Sequence, residues 1–422
     1  MPKKAIIVGA GLAGLQTAWF LHNDGWDVTV VERREGVALE TSLANGGLIT
    51  PSHAAPWNSP GIFRALLSSL NDETAALYLK ASAIPSYLLW GMRFLRNSTY
   101  SRYFRTIERN SRLAHFSQGV LNEMTDSLGL RFDSDRRGTI MFYRNRRSLD
   151  RVTPINKYIA ASGVRVNPCS TDELIRIEPA LDRIGDGLCG GFYYPDDQHG
   201  DAHLFCRALA ARLSEAGVEL RFGETVNGFE TQGSRITGLV TDKGRLAADA
   251  VVLAAGFWSR EIGRKLRLRL PIKPVKGYSV TFDVSQASRK PAIPVVDDDA
   301  HIGMTPLGNR IRFVGTAEFS GYSPEINPTR IDNLRRAALT TYPDLAPIIN
   351  AADPVSTWCG HRPMTPDCLP IVGQSGPENL YLNTGHGYLG WTTASGTSRA
   401  VADLMSGRQP YLSEDHYSMR RF

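Results

Sequence analysis

The residues best able to do chemistry stand at the start of the chain. Gly9-Ala10-Gly11-Leu12-Ala13-Gly14 follows the apolar run Ala5-Ile6-Ile7-Val8, and residues 15–23 read as a helix. Gly25 ends that helix, and Val28-Thr29-Val30-Val31 is a second apolar run closing on Glu32. A glycine loop between a buried strand and a helix is suited to a pyrophosphate. Gly9 permits the tight turn, Gly11 lets the backbone approach the phosphates, and Gly14 lets helix and strand pack closely. The helix N-terminus adds unpaired N–H groups and partial positive charge, and Glu32 can accept from ribose hydroxyls. The pattern predicts a bound dinucleotide.

Two later segments point to the kind of dinucleotide. Ala250-Val251-Val252-Leu253 reads as a buried strand running into Ala254-Ala255-Gly256-Phe257-Trp258. Such a strand, ending in small residues, brings the chain close to the nucleotide from a second side, as a flavin protein needs and an NAD dehydrogenase does not. Near the C-terminus residues 379–384 read as a strand, Gly385-His386-Gly387 as a loop and residues 393–405 as a helix. That is a second anion-receiving helix end.

The remaining elements must position these segments. Residues 33–47 form a polar loop containing Glu40-Thr41-Ser42-Leu43-Ala44-Asn45-Gly46-Gly47, suited to close backbone approach to a ligand, and residues 51–61, with three prolines, read as irregular. Residues 62–97 and 108–128 read as helical, and 138–144 as a strand followed by the solvated cluster Arg144, Arg146 and Arg147. Asp201 is a good N-cap for a helix over 202–216. His199 and His203 stand four apart, but the first precedes the helix and no third ligand is near, so no metal is expected. Residues 218–222 and 225–229 read as strands, and 236–241 with 245–247 continue as a small meander. Period-two alternation at 278–282 and 311–314 predicts a partly exposed, mainly antiparallel sheet, with a helix over 333–342 on it.

At 422 residues, two domains are the natural expectation. The 42% hydrophobic and 21% charged fractions are those of a soluble globular protein. The net charge of +6 is spread along the chain, which disfavours nucleic acid and leaves an anionic substrate or a membrane surface open. Five cysteines, Cys169, Cys189, Cys206, Cys359 and Cys368, form no CxxC pair and suit a reducing compartment. The N-terminal apolar run is too short for a signal peptide, and no run is long enough to span a bilayer. The expected location is cytoplasmic, with peripheral attachment to the inner face of the bacterial inner membrane left open; the apolar helical region over 62–97 is the segment that could meet lipid.

The motifs together resemble the FAD-dependent D-amino acid oxidase superfamily, which includes glycine and sarcosine oxidases, and within it the small subunits of bacterial D-amino acid dehydrogenases. The likeness runs almost end to end. It is carried by Glu40-Thr41-Ser42 with Ala44-Asn45, Ala55-Pro56-Trp57, Gly200-Asp201-Ala202-His203-Leu204-Phe205 and Lys276-Gly277-Tyr278-Ser279. Arg362-Pro363-Met364-Thr365-Pro366-Asp367 and Gly385-His386-Gly387 with Leu389-Gly390-Trp391-Thr392 complete it.

The resemblance implies an α/β protein. A Rossmann-like FAD-binding domain of the glutathione-reductase type, over 1–52, 150–265 and 356–422, would join a substrate domain over 53–149 and 266–355, itself α+β on a mainly antiparallel sheet. It implies that Gly9, Ala10, Gly11 and Gly14 take the pyrophosphate and that Glu32 and Arg33 lie at the ribose end. Thr41, Ser42, Asn45, Gly46, Gly47 and Leu48 would lie along pyrophosphate and flavin, and Val226 would meet adenine. Ala254, Gly256 and Trp258 would approach from the second side, while Gly387, Leu389, Gly390, Trp391 and Thr392 would face the flavin pyrimidine. Arg362 matches the arginine that pairs with the substrate carboxylate, a task for which a planar bidentate guanidinium is suited. Tyr278 and His386 are candidates for the pocket wall and for hydrogen bonds to substrate or flavin, and His53 for specificity. The implied reaction is deamination of D-amino acids to 2-oxo acids and ammonia, by hydride transfer to flavin N5, with electrons passed to a quinone or other carrier. Narrower relatives oxidising D-hydroxyproline, glycine or sarcosine, and a non-catalytic FAD subunit, are the alternatives; an oligomer is open. Relatives carry Thr or Ser at Cys359, Gly at Cys368 and Tyr at His53. Some sarcosine-oxidising relatives attach flavin covalently through a cysteine near the first of these, which makes a covalent link through Cys359 a further alternative.

Overall fold

The computed structural model describes residues 2–351 and 353–422. The apolar runs from both ends of the chain join one sheet. Its six strands lie in the order Ile371–Gln374, Leu380–Thr384, Ala250–Leu253, Lys4–Val8, Asp27–Val31 and Glu219–Arg221. All pair in parallel except the edge strand Ile371–Gln374. Ile7, Val252, Leu253 and Leu382 are fully buried, as expected where parallel strands are covered on both faces.

The helix Leu12–Asn23 leaves the first strand at once and lies against the C-terminal helix Gly390–Met405. Ser398 Oγ donates to the Ala13 carbonyl at 3.0 Å, and Asn383 Nδ2 donates to Thr17 Oγ1 at 2.9 Å and to Ser398 Oγ at 3.0 Å. The two made by Asn383 are buried and the third is partly so. Each is worth about 1 kcal/mol when made, and removing one partner costs more because the other is left unpaired. They fix the two anion-receiving helix ends relative to one another.

The second sheet has nine strands. Ser356–Met364, Lys273–Asp283, Arg310–Phe319, Ile302–Leu307, Val295–Asp297, Thr139–Phe142, Gly191–Tyr194 and Asn167–Cys169 follow in that order, with Leu77–Leu79 beside Arg310–Phe319. It is mainly antiparallel, as the alternation predicts, with parallel pairs at Val295/Ile140 and Ala317/Leu77, but it is not the partly exposed sheet expected, since Lys273 to Phe282 are buried at every position. One face packs Val280, Phe282 and Phe313 against Leu334 and Ala338 of the helix Pro328–Thr341.

Strand pairing moves two of the expected domain segments. Asn167–Cys169 and Gly191–Tyr194, within 150–265, and Ser356–Met364, at the head of 356–422, belong to the second sheet rather than the first. The stretch 62–97 is not continuous helix either. It comprises the helices Ile62–Ser68 and Ile84–Arg96 with the strand Leu77–Leu79 between them, because those residues pair with Ala317–Phe319. The helix expected over 108–128 begins earlier and runs Tyr100–Leu128.

Asp201 caps the helix Ala202–Glu215 as expected, accepting from the N–H groups of His203 at 3.0 Å and Leu204 at 3.2 Å. Its other oxygen holds Arg310 at 3.1 Å and Arg312 at 3.2 Å, and Arg312 also donates to the Asn45 carbonyl at 3.1 Å. One carboxylate thereby ties the helix, the second sheet and the polar loop together.

A second buried carboxyl, Asp197, accepts from Ser52 N at 3.2 Å, Ser52 Oγ at 2.5 Å and Thr139 Oγ1 at 2.6 Å, and so anchors the turn before His53. Burial raises it to about 7, against the hydroxyl donors that favour its ionised form. Its folded value therefore lies above the unfolded one of 3.8, so the native state holds the extra proton between them and loses stability as pH rises through that window. Asp197→Asn should flatten the dependence of Tm on pH between about 4 and 7. Superimposable Tm–pH curves for the two proteins would reject this.

Candidate active site

A cavity of about 540 Å³ runs between the two sheets, and both ends of the chain open on it. At one end the carbonyl of Ala254 lies 2.7 Å from where a Cβ on Gly9 would stand, so the two strands approach as only glycine allows. Above Gly11 the nearest atom to such a Cβ is Ser42 Oγ at 3.6 Å, so that position opens into the cavity. Neither Gly11, before the helix Leu12–Asn23, nor Leu389, before Gly390–Met405, caps its helix through a side chain. Helix N-termini without a side-chain cap are the kind of end that binds phosphate and other anions.

Glu32 stands at the end of its strand with both oxygens engaged. Ala10 N–H donates to Oε2 at 2.9 Å and Arg34 N–H to Oε1 at 2.8 Å. Arg33 lies 4.0 Å from the centre of the Trp258 ring, a cation–π stack that closes this end of the cavity. Glu40, which sequence reasoning did not single out as a site residue, pairs with both Arg33 and Arg34. Burial alone would raise its carboxyl; the hydrogen bonds and charges of the two arginines outweigh that and hold it low. The polar loop is pinned from several sides. Asn45 Oδ1 accepts from Gly47 N at 3.0 Å, Thr305 Oγ1 donates to the Gly46 carbonyl at 2.7 Å, and Thr41 Oγ1 donates to the His361 carbonyl at 2.8 Å. Thr392 Oγ1 accepts from Thr50 N at 3.0 Å, which joins the loop's far end to the C-terminal helix.

At the opposite end lies Arg362. Its Nη1 donates to the Thr316 carbonyl at 3.1 Å, its guanidinium lies 5.4 Å from the Trp57 ring centre, and Trp57 stacks on Tyr388. Among the described residues no carboxylate pairs with it. Burial pushes its guanidinium down to about 10, so it remains charged at neutral pH. A largely buried cation without a counter-ion is costly unless an anion arrives from outside, and the cavity is where one can arrive.

Two histidines line the same space. His53 Nδ1 lies 3.2 Å from Thr50 Oγ1, while its Nε2 is buried without a partner. His386 Nε2 lies 2.9 Å from Thr397 Oγ1. That hydroxyl donates to the Ala394 carbonyl at 3.0 Å, so its oxygen accepts and the hydrogen-bond network assigns the ring hydrogen to His386 Nε2. Burial lowers both imidazoles to about 4, so both are neutral at pH 7.

Of the site residues expected from sequence, Gly9, Gly11, Glu32, Arg33, Thr41, Ser42, Asn45, Gly46, Gly47, Leu48 and Val226 all line the cavity. Ala254, Gly256, Trp258, Arg362, His53, His386, Gly387, Leu389, Gly390, Trp391 and Thr392 line it too. Ala10 and Gly14 do not. Ala10 serves Glu32 through its N–H, and Gly14 is packed onto the Gly9 carbonyl.

Tyr278 is a correction. Alternation along Lys273–Asp283 puts Gly277 on the cavity face and the Tyr278 ring on the other, among the core residues beneath. Its hydroxyl donates to Glu318 at 2.6 Å, and Glu318 also meets Lys276 at 3.3 Å and Arg330 at 3.8 Å. Burial, then the contact with Glu318, pushes the phenol far up. Tyr278 does line the cavity, but its ring packs into the core and its hydroxyl is taken by Glu318. Cys359 lies on that same far face, its Sγ donating to the Pro324 carbonyl at 3.2 Å, so the thiol is not presented for a covalent link.

Residues 4–404 match the sequence model of a family described as FAD dependent oxidoreductase. The D-amino acid dehydrogenase of Paramagnetospirillum magneticum is 41% identical, over 99% of this chain and 99% of its own. That of Rhizobium rhizogenes is 38% identical, over 99% of this chain and 100% of its own. Among solved structures, glycine oxidase from Geobacillus kaustophilus has a TM-score of 0.78 at 22% identity, covering 100% of this chain and 99% of its own. L-Proline dehydrogenase from P. horikoshii has 0.76 at 20%, covering 100% and 98%. At such identities these two likenesses establish the shared fold alone.

Proposed function

Because the chain belongs to the FAD-dependent oxidoreductase family, we propose that it deaminates D-amino acids to 2-oxo acids and ammonia. The observation that carries this reading is Arg362, a largely buried guanidinium without a carboxylate partner among the described residues, facing a cavity whose other end is built for a dinucleotide. An amino acid supplies the missing anion. The residues fit FAD: two uncapped helix ends, the space over Gly11, and Glu32 at the ribose end.

Bound there, FAD supplies the acceptor for the hydrogen and two electrons that leave the substrate's α-carbon. The chain's own residues bind and orient. Arg362 takes the carboxylate through a bidentate pair, and Trp57 and Tyr388 wall the side chain's space. His53 and His386 stay neutral, so neither repels a substrate ammonium, and the unpartnered Nε2 of His53 can bond to a polar substrate group. The imino acid product needs only water to become the 2-oxo acid and ammonia.

Anaerobic mixing with D-alanine, D-proline and other D-amino acids, and with D-hydroxyproline, glycine and sarcosine, should bleach the flavin fastest with a D-amino acid. A flavin left oxidised by every D-amino acid would end this reading. Glu32→Gln is expected to weaken FAD binding by about tenfold, the worth of one charge-assisted hydrogen bond. Titration of apoprotein with FAD checks it, and an unchanged Kd would remove Glu32 from the cofactor site.

Electrons then pass to a carrier, for which a membrane quinone is our reading. No helix of the described residues is long and apolar enough to cross a membrane. However, Phe63, Leu67, Leu88, Leu89 and Met92 are all more than half exposed on the helices Ile62–Ser68 and Ile84–Arg96, beside the exposed Arg64, Arg93 and Arg96. Apolar side chains flanked by cations suit the surface of an anionic bilayer. Cosedimentation with anionic but not neutral vesicles, lost in Leu89→Asp, is the expected result.

A further inference from the structure

Arg362 owes its position to an irregularity in the strand beyond its neighbour. The pairing of Lys273–Asp283 with Ser356–Met364 is regular from Lys273/Met364 to Thr281/Ser356. On its other side the register with Arg310–Phe319 slips: Lys276 faces Glu318 but Tyr278 faces Gly315. The partner strand therefore carries one extra residue there, a β-bulge. Within it Thr316 has φ +63°, a left-handed conformation that glycine or asparagine adopts readily and a β-branched residue does not. The bulge falls where this strand changes partners, from Ile302 at Gly315 to Leu77 at Ala317.

The change of partner explains a bend, but the bend also does something at the site. It turns the Thr316 carbonyl onto Arg362 Nη1 at 3.1 Å. From the facing strand, Gly277 leaves the room in which the guanidinium lies: a Cβ there would stand 2.2 Å from Nη1 and 2.4 Å from Nη2. Trp57 bounds a further side. Resting on the reading of Arg362 as the carboxylate binder, we propose that Thr316 and Gly277 are positioning residues that hold its guanidinium as a preset fork. A neutral carbonyl fixes one Nη1 donor without neutralising the charge, and the remaining donors stay available to the substrate carboxylate.

The test uses the FAD-loaded protein and propionate, a carboxylate without an amine, whose binding is read from the flavin absorbance change. Gly277→Ala, whose new methyl has the Arg362 guanidinium as its nearest neighbour, should raise the propionate Kd and the KM for D-alanine by about tenfold or more. The Kd for FAD should stay at the wild-type value and kcat should fall less than about threefold. Thr316→Pro, which cannot take a positive φ, should weaken propionate similarly. Thr316→Gly, which keeps the turn, should retain wild-type affinity with an equal or higher Tm. Wild-type propionate affinity in both Gly277→Ala and Thr316→Pro would overturn the positioning role alone; should Thr316→Pro not fold, Gly277→Ala decides. Propionate that leaves even the wild-type flavin unperturbed would instead overturn the carboxylate reading of Arg362, and this inference with it.

Discussion

Arg362→Ala is expected to lower kcat/KM for D-amino acids by about 3–5 kcal/mol, the cost of breaking a buried pair by removing one partner. The protein should be no less stable for it. Among the described residues no carboxylate pairs with this guanidinium, so on the proposed reading truncation leaves the substrate carboxylate as a desolvated anion facing tryptophan, tyrosine and glycine. Before substrate binds the balance is reversed. Burial has lowered the guanidinium to about 10. A base whose folded value lies below its unfolded one binds fewer protons in the native state, so the charged form costs stability at every pH below that folded value. Removing the charge relieves this cost at neutral pH, and the relief opposes the loss of packing against Trp57. An arginine in an ordinary structural ion pair would behave in the opposite way, losing stability with its charge. Arg362→Lys should fall between, raising KM more than it lowers kcat, because one ammonium cannot reproduce the bidentate geometry. The measurements are steady-state kinetics alongside Tm of the substrate-free holoprotein. A kcat/KM within tenfold of wild type in Arg362→Ala would remove the assignment.

How far the site could be read from sequence follows from how local each signal is. The turn from Val8 to Leu12 and its acid at Glu32 are read easily, since strand, glycines and helix are contiguous and the Ala10–Glu32 hydrogen bond closes across one parallel pair. The C-terminal loop is legible for the same reason. Sheet membership is not local: Asn167–Cys169, Gly191–Tyr194 and Ser356–Met364 are short and carry no mark of which sheet they will join. Tyr278 failed for a sharper reason. The alternation over 278–282 puts Tyr278 in phase with Val280 and Phe282, all in the core beneath, whereas the resemblance through Lys276-Gly277-Tyr278-Ser279 gives residue types and no phase. A shift of one residue exchanges Gly277 for Tyr278 at the cavity. The bulge at Thr316 was invisible because its residue type argues against the conformation it adopts. The glycine opposite, inside a strand, was the available hint of a close approach.

Gly14→Ala is expected to abolish FAD retention, although alanine is the better helix former by about 1 kcal/mol. The added Cβ would stand 1.9 Å from the carbonyl oxygen of Gly9 and 3.0 Å from its carbon. Both are backbone atoms at the turn itself, so no side chain can swing aside, and the helix Leu12–Asn23 must move off its strand by more than an ångström. Buried Leu15 and Ala18 move with it, and overpacking of this kind costs about 1–3 kcal/mol or more. The displacement falls on the first turn, whose N–H groups are to meet the pyrophosphate, and on Ala10, whose N–H holds Glu32. Gly25→Ala separates this effect from general loss of stability. Gly25 has φ +87° with no atom within 4 Å of a Cβ, so its substitution strains the backbone alone and should lower Tm by a few degrees while FAD stays bound. Gel filtration followed by the ratio of flavin to protein absorbance distinguishes the two variants. Gly14→Ala emerging with a full complement of FAD would show that helix and strand can part without loss of the dinucleotide, and the packing argument at the centre of the fold would fail.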